Sequence, residues 1–282
     1  MVGYTGANGS LGTMIGEELE CLGVNHISMS RQPERIAHAP CRECRRADYD
    51  DVVGLTQAFR EIDRLFLMSM PDAPELRVRR HRNAIHAARE AGVKHIIFLS
   101  VADAEEDSPF PFAVANRDAE TVLREGKLDW TILRPNLYAD AILRMSLGGV
   151  EERRLVLPWH TGRVAYVARR DIAEVAARLL AGGGFVGESL SITGAKSMTL
   201  ADVGEALFQA SGQSWTNSPT DMETYEEGLL ERFPVDTVQA YMGLCRGLEA
   251  GRLSETSDTV ERICDRKPTP LETVLEEQLA AW

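Results

Sequence analysis

The sequence predicts an α/β fold, a doubly wound parallel sheet with a smaller mixed α/β C-terminal lobe. Three observations predict it. Short apolar runs alternate with amphipathic stretches through the first half of the 282 residues, and strand–helix alternation builds a parallel sheet with helices on both faces. A glycine-rich segment, Thr5-Gly6-Ala7-Asn8-Gly9-Ser10-Leu11-Gly12, joins the first apolar run to the first amphipathic stretch. After Pro135 the alternation gives way to shorter, mixed segments.

The elements follow in order. Val2–Thr5 reads as a strand and Ser10–Leu22 as a helix, with Leu11, Ile15, Leu19 and Leu22 on one face. Val24–Ser30 is the second strand, and a third is expected near Arg46–Asp48 after a polar stretch. Asp51–Arg60 is a helix, Arg64–Ser69 a buried strand, and Ala73–Ala91 a long helix that stops at Gly92. Lys94–Ser100, Pro111–Glu125 and Trp130–Arg134 supply a strand, a helix and a sixth strand. Beyond Pro135 the pattern predicts a helix over 136–147, strands over 154–157 and 164–168, and a helix over 171–180. A short strand at 189–193, a helix at 200–210 and an amphipathic helical tail complete the chain. The expected division is a nucleotide-binding domain over 1–135, completed by 163–182, and a lobe made of 136–162 and 185–282.

Composition narrows the function classes. Net charge is −12, and an acidic surface repels phosphate backbones, so neither direct nucleic-acid binding nor a membrane surface is expected. No apolar run approaches the roughly 18 residues of a membrane span. A first strand beginning beside Met1 leaves no room for a signal peptide, and five scattered cysteines suit a reducing compartment. A cytoplasmic location is therefore expected. Cys41-Arg42-Glu43-Cys44 is a CxxC without a second Cys/His pair nearby, so no metal is expected.

The glycine segment carries the chemistry. Gly6 and Gly9 allow a tight strand-to-helix turn. The N–H groups of Asn8–Leu11 then point at a pyrophosphate, aided by the helix dipole, and Gly12 lets helix and sheet pack closely. The spacing is GxxGxxG rather than GxGxxG, but its place between a strand and a helix makes it a dinucleotide signal of a Rossmann-type fold. The second strand ends at Ser30-Arg31. An acidic residue there would hold the ribose hydroxyls of NAD, whereas Arg31 suits a 2′-phosphate, so NADPH (NADP+) is the expected cofactor.

These residues, with Ala91-Gly92-Val93-Lys94-His95-Ile96 and Trp130-Thr131-Ile132-Leu133-Arg134-Pro135, resemble the NmrA-like branch of the atypical short-chain dehydrogenases/reductases. Within it the chain is similar to the NAD(P)H quinone oxidoreductase and triphenylmethane reductase group. Asp48-Tyr49-Asp50 matches the segment where adenine lies in that family, and Thr256-Ser257-Asp258 with Pro268-Thr269-Pro270-Leu271 its closing segment. The resemblance spans nearly the whole chain and is most specific before residue 136. It implies NADPH, a small-molecule substrate in a cleft between domain and lobe, and a homodimer as an available assembly.

The wider superfamily uses a Tyr-x-x-x-Lys pair, in which the lysine lowers the tyrosine pKa. Aligned on Glu120, those positions hold Phe112 and Asn116. Two readings stay open. In one, NADPH reduces a quinone-like or other conjugated acceptor that needs no enzyme acid. In the other, the chain is a non-catalytic NADP(H)-sensing regulator acting through a protein partner.

The strand ends locate the candidate residues. Met68 and Ser69 are expected beside the cofactor ribose, and Ser100 and Pro135 at the nicotinamide. Asn136 and Tyr138 are placed to orient a substrate, and Tyr138 and Asn116 are the candidate catalytic groups, although Tyr138 equally suits packing under the lobe. Trp159-His160 is expected to roof the cleft, with His160 either there or simply exposed. His26 and His95 read as structural. Met68, Met70 and Met145 read as pocket lining or as core. Arg77, Arg79, Arg80 and Arg82 read as a solvated helix face or a local anion site.

Overall fold

The computed structural model describes residues 1–70, 72–159 and 161–281. Pro71, at a strand end of interest, and His160 lie outside the described residues.

Seven parallel strands form the main sheet: β1 (Val2–Thr5), β2 (His26–Ser30), β3 (Arg42–Arg46), β4 (Arg64–Leu67), β5 (His95–Leu99), β6 (Asp129–Pro135) and, after a two-residue strand β7 (Arg154–Leu155), β8 (Glu188–Ile192). Their order is β3-β2-β1-β4-β5-β6-β8. The direction of winding reverses between β1 and β4, and such a reversal opens a crevice beyond the carboxyl ends of the strands.

The central strands are apolar because both faces are covered. Every residue of β1, β2 and β5 is buried. The helices α1 (Ser10–Cys21), α2 (Val52–Ala58), α3 (Pro74–Glu90), α4 (Pro111–Glu125), α5 (Ile142–Met145) and α6 (Arg169–Gly182) follow in chain order. On one face, the α1 residues Leu11, Ile15 and Leu19 meet Ile172, Val175 and Leu179 of α6. On the other, Leu55 of α2, Ile85 and Ala88 of α3 and Ala119 and Leu123 of α4 share a second core.

Four sequence expectations need correction here. The third strand lies at Arg42–Arg46 rather than at 46–48. It is an edge strand of charged residues around Cys44, half buried at most, so it lacks the apolar run that marks the inner strands and carries charges that blunt the edge. The helix expected over 136–147 is broken. The Asn136 side chain accepts from the Leu137 N–H at 2.7 Å and donates to the Leu253 carbonyl at 3.0 Å, which keeps the chain extended through Tyr138. Only a 3-10 turn at Ala139–Ala141 and the four residues of α5 coil. The 164–168 segment forms no strand; it contributes single bridges, Tyr138 to Val167 and Val164 to Met198. The sheet also takes in Glu188–Ile192, which the sequence reading grouped with the lobe.

The third core belongs to the lobe. It gathers Trp159, Tyr166, Tyr225, Met242 and Leu275 from loops, from α7 (Leu200–Ser211), α8 (Met222–Leu230), α9 (Val235–Glu249) and α11 (Leu271–Ala280), and from Leu155 of β7, whose partner is β9 (Thr216–Asn217). Val260 and Cys264 of α10 (Thr259–Cys264) belong instead to the core of α1 and α6. α10 packs back on α6 and β8. Arg252 ties the lobe to the loop before α4 by pairing with Asp103 at 3.0 Å and Asp107 at 2.6 Å. Among the described residues no helix is long and apolar enough to cross a membrane.

Candidate active site in the cleft

A cavity of about 700 Å³ lies beyond the carboxyl ends of β1, β2, β3 and β4. Its size falls within the range of cofactor pockets, about 300–1,000 Å³. Its floor follows from the glycine turn. Gly6 adopts φ +75°, a conformation that side chains disfavour, and Gly9 closes the turn by donating its N–H to the Gly6 carbonyl at 3.0 Å. A Cβ on Gly12 would stand 2.1 Å from the Gly6 carbonyl oxygen, so only glycine lets α1 begin this close to the loop. Gly9 caps α1 without a side-chain hydrogen bond, and no acidic residue occupies the first turn. The orphan N–H groups of the helix therefore face the cavity without a resident anion.

The sequence-selected residues Gly6, Asn8, Gly9, Ser10, Leu11, Arg31, Asp48, Met68, Ser69 and Tyr138 all line this cavity. Asn8 also fastens the loop to the end of β2, because its amide donates to Ser30 Oγ at 2.9 Å and to the Gln32 carbonyl at 2.8 Å. Arg31 is exposed at the rim. Behind the loop, the Tyr49 hydroxyl meets Thr5 Oγ1 at 2.7 Å and donates to the Met68 carbonyl at 3.0 Å, which fixes the ends of β1 and β4 against one another.

Other expected residues do not reach the cavity, each for a visible reason. Ser100 is buried and donates to Glu120 Oε1 at 2.5 Å. Glu120, wholly buried, also pairs with Arg134 at 2.6 Å and Arg124 at 2.8 Å. This ionic knot joins α4 to β6 and occupies the Ser100 hydroxyl. Pro135 is a paired β6 residue opposite Ile192, and its carbonyl accepts from the Ala102 N–H. Asn136 spends its amide on Leu253, as above. Trp159 is 1% exposed within the lobe core, so it does not roof the cleft: its ring fills the lobe interior. Met145 is likewise core. His26 and His95 are buried, with contacts to the Val24 carbonyl at 2.9 Å and to Thr131 Oγ1 at 2.8 Å.

At the inner end of the cavity the sequence reading missed the burial of two α3 side chains, Arg77 and His81. The basic run on α3 is not a uniform solvated face. Arg77 is 5% exposed. Its Nε and Nη2 donate to Ser69 Oγ at 3.1 and 2.6 Å, and its guanidinium stacks over Phe112 at 4.4 Å. Ser69 Oγ stands 3.0 Å from His81 Nε2, and His81 Nδ1 lies 3.3 Å from the Ala115 carbonyl. A carbonyl only accepts, so Nδ1 carries the proton and Nε2 accepts from Ser69. Burial, helped by the neighbouring Arg77 charge, pushes the His81 pKa down to about 4, in keeping with this neutral form. Asn116 is buried, 3.5 Å from Ser69 Oγ through Oδ1, and its Nδ2 has no partner among the described residues. Tyr138 lies beneath Arg169, whose guanidinium is 4.8 Å from the ring centroid; burial pushes its pKa up to about 12. Ser69, Arg77 and Tyr138 line the cavity together with Phe112, Leu99, Arg80, Arg144 and Arg169, whereas the candidate catalytic Asn116 and His81 are buried behind Ser69 and do not line it. A signal for Arg77 and His81 existed: with Ala84 and Ala88 they fall on the buried stripe of α3.

The donor set fits a dinucleotide: helix N–H groups with no acidic side chain in the first turn, a glycine floor that a Cβ would block, and an arginine at the end of β2 that has no partner among the described residues. Residues 6–182 match the NAD(P)H-binding family. The chain belongs to this family. Quinone oxidoreductase 2 of Escherichia coli is 30% identical over 77% of this chain and 76% of its own length. The solved structure of an Escherichia coli NADPH-dependent quinone oxidoreductase complexed with NADPH superimposes with TM-score 0.89 at 26% identity, covering 99% of both chains. Citrobacter triphenylmethane reductase complexed with NADP(H) gives TM-score 0.87 at 26% identity, again over 99% of both. The resemblance to the quinone oxidoreductase and triphenylmethane reductase group read from the sequence holds. Among the described residues no cluster of His, Cys, Asp or Glu could hold a metal ion, and Cys41 and Cys44 are free thiols.

Proposed function

We propose that this chain is an NADPH-dependent oxidoreductase that passes hydride to a quinone or another conjugated small molecule without the Tyr–Lys pair of the wider superfamily. The broader class, an NAD(P)H-dependent oxidoreductase, follows from the family and from the relatives above. The single observation that carries the finer reading is the cavity itself. It runs from the glycine turn and Arg31 to an inner wall of Phe112, Leu99 and Tyr138, which gives one continuous space to a cofactor and a flat acceptor.

When bound, NADPH supplies the hydride. The protein binds and orients. The N–H groups from Asn8 to Leu11 would hold the pyrophosphate, Arg31 would hold the 2′-phosphate, and Met68 and Ser69 would flank the ribose. Phe112 has no proton to give, and Asn116 carries no charge. A quinone-like acceptor suits such a site because its conjugation stabilises the reduced form without an enzyme acid at the moment of transfer. Positioning then accounts for the rate, and well-oriented reactants contribute on the order of 7–11 kcal/mol. Tyr138, protonated throughout the neutral range, can hold an acceptor oxygen by hydrogen bond.

The absence of an acid at Phe112 also favours a second reading, a non-catalytic NADP(H)-sensing protein that acts through a protein partner. Turnover separates the two. Steady NADPH oxidation with a panel of simple quinones is the expected result. Tight NADP(H) binding with no oxidation by any member of the panel would overturn the enzyme and leave the sensor.

A further inference from the structure

We propose that the Arg77 guanidinium is the charge-stabilising group of the acceptor site, taking the negative charge that develops on an acceptor oxygen as hydride arrives and so favouring acceptors that are reduced to an oxyanion. This rests on the oxidoreductase reading above and specifies its substrate class: conjugated carbonyl compounds whose reduction passes through an oxyanion.

The first observation is an unbalanced charge. Arg77 is 5% exposed, and among the described residues no carboxylate lies within ion-pair distance of it. Two of its nitrogens share one neutral oxygen, Ser69 Oγ, while Nη1 is buried with no partner among the described residues. The acidic group nearest in influence, Asp72, is already paired with Arg80 at 2.6 Å. A buried cation without a counter-ion is costly to fold. A site that keeps one is organised for an anion that arrives later.

The second observation is its place. The guanidinium stacks on Phe112, which stands where the wider superfamily has its tyrosine. Ser69, which it holds, lies 3.5 Å from Oδ1 of Asn116, which stands where that superfamily has its lysine. The cation missing from α4 is thus supplied from α3. The phosphates of a dinucleotide belong at the glycine turn and Arg31, formed by β1, β2 and α1. The Arg77 end of the cavity presents Phe112, Leu99 and Tyr138, surfaces for a planar ring rather than for a phosphate chain.

The chemistry balances. Hydride brings two electrons and one hydrogen to the conjugated acceptor, whose carbonyl π bond breaks and leaves an oxyanion. The reduced dinucleotide becomes NADP+, and water then supplies the second proton. Burial lowers the Arg77 pKa only to about 10, so the guanidinium stays charged at neutral pH and stabilises the oxyanion without giving up its own proton.

The test uses the whole chain with NADP+ bound and a non-reducible oxyanion mimic, hydroxynaphthoate, titrated by calorimetry. Naphthol serves as the neutral control. The wild-type chain is expected to bind hydroxynaphthoate at least about tenfold more tightly than naphthol. Arg77→Gln is expected to abolish that preference and to lower kcat more than KM with a neutral naphthoquinone, while Arg77→Lys restores most of both. NADPH affinity, read by nucleotide fluorescence, is expected to change less than about twofold in either variant. Equal wild-type affinity for the mimic and the control overturns the proposal, and this arm needs no variant to fold. So does a parallel loss of NADPH affinity in Arg77→Gln, which would make Arg77 a cofactor ligand. If no quinone is turned over, the enzyme reading fails, and the calorimetric arm still decides the Arg77 claim.

Discussion

Replacing Arg31 by alanine is expected to weaken NADPH binding about ten- to thirtyfold, roughly 1.4–2 kcal/mol, and to leave NADH binding nearly unchanged. The magnitude comes from the surroundings of the side chain. Arg31 lines the cavity from an exposed position, and among the described residues nothing competes for its guanidinium. A charge-assisted hydrogen bond to a phosphate contributes about 1.5–3 kcal/mol, and exposure to solvent holds this one toward the lower part of that range. Its neighbours cannot take over. Arg80 is committed to Asp50 and Asp72, and the Asn8 amide to Ser30 and Gln32. NADH lacks the 2′-phosphate and loses nothing. The assay is a titration of nucleotide fluorescence for both cofactors at one ionic strength, then at a higher one, where the NADPH preference of the wild type is expected to shrink. Equal losses for NADPH and NADH, or no loss for either, would refute the reasoning.

Three further outcomes are expected. Gly12→Ala places a Cβ 2.1 Å from the Gly6 carbonyl oxygen and 2.9 Å from Ala7 Cα; the neighbours are backbone, so thermal unfolding is expected to show a loss of about 1–3 kcal/mol together with weaker nucleotide binding. Trp159→Ala is expected to cost about 3–5 kcal/mol in urea unfolding, because the ring is lobe core; a loss of acceptor binding at unchanged stability would return Trp159 to the cleft. His81 links stability to pH. Its folded pKa, about 4, lies below the unfolded value of 6.5, so the unfolded chain takes up the proton first and stability falls as pH drops through that window. Between about pH 7.5 and pH 5 the loss from this group is roughly 2 kcal/mol, and His81→Asn is expected to remove it; an unchanged pH slope in that variant would contradict the assignment.

Legibility in the sequence followed the strength of the local signal. The inner strands and α1 through α4 stand out because burial on both faces of a sheet demands unbroken apolar runs, and the glycine turn stands out because only glycine fits it. Edge strand β3 was misplaced because an edge is charged by design against pairing. Membership of β8 in the main sheet depends on pairing with β6, a contact between distant segments that no local pattern carries. Trp159 sits in a loop by sequence, yet its ring turns inward to a core assembled from α7, α8, α9 and α11. Arg77 was hidden by its neighbours: four arginines in six positions look like a solvated face until the helical period sets Arg77 and His81 on the buried stripe and Arg79 and Arg82 outside it. The glycine-turn end of the cavity was therefore readable from residue types and spacing. The inner end, built by side chains from α3, α4 and the segment after β6, needed the fold.

The central claim is that this cleft moves hydride from NADPH to a conjugated acceptor. Single-turnover decay of the reduced nicotinamide absorbance, with NADPH deuterated at C4 and a naphthoquinone in excess, tests it most directly. The decay is expected to be stoichiometric with protein-bound NADPH and slower for the deuterated cofactor. No decay faster than in protein-free solution, with NADPH still bound, would contradict it.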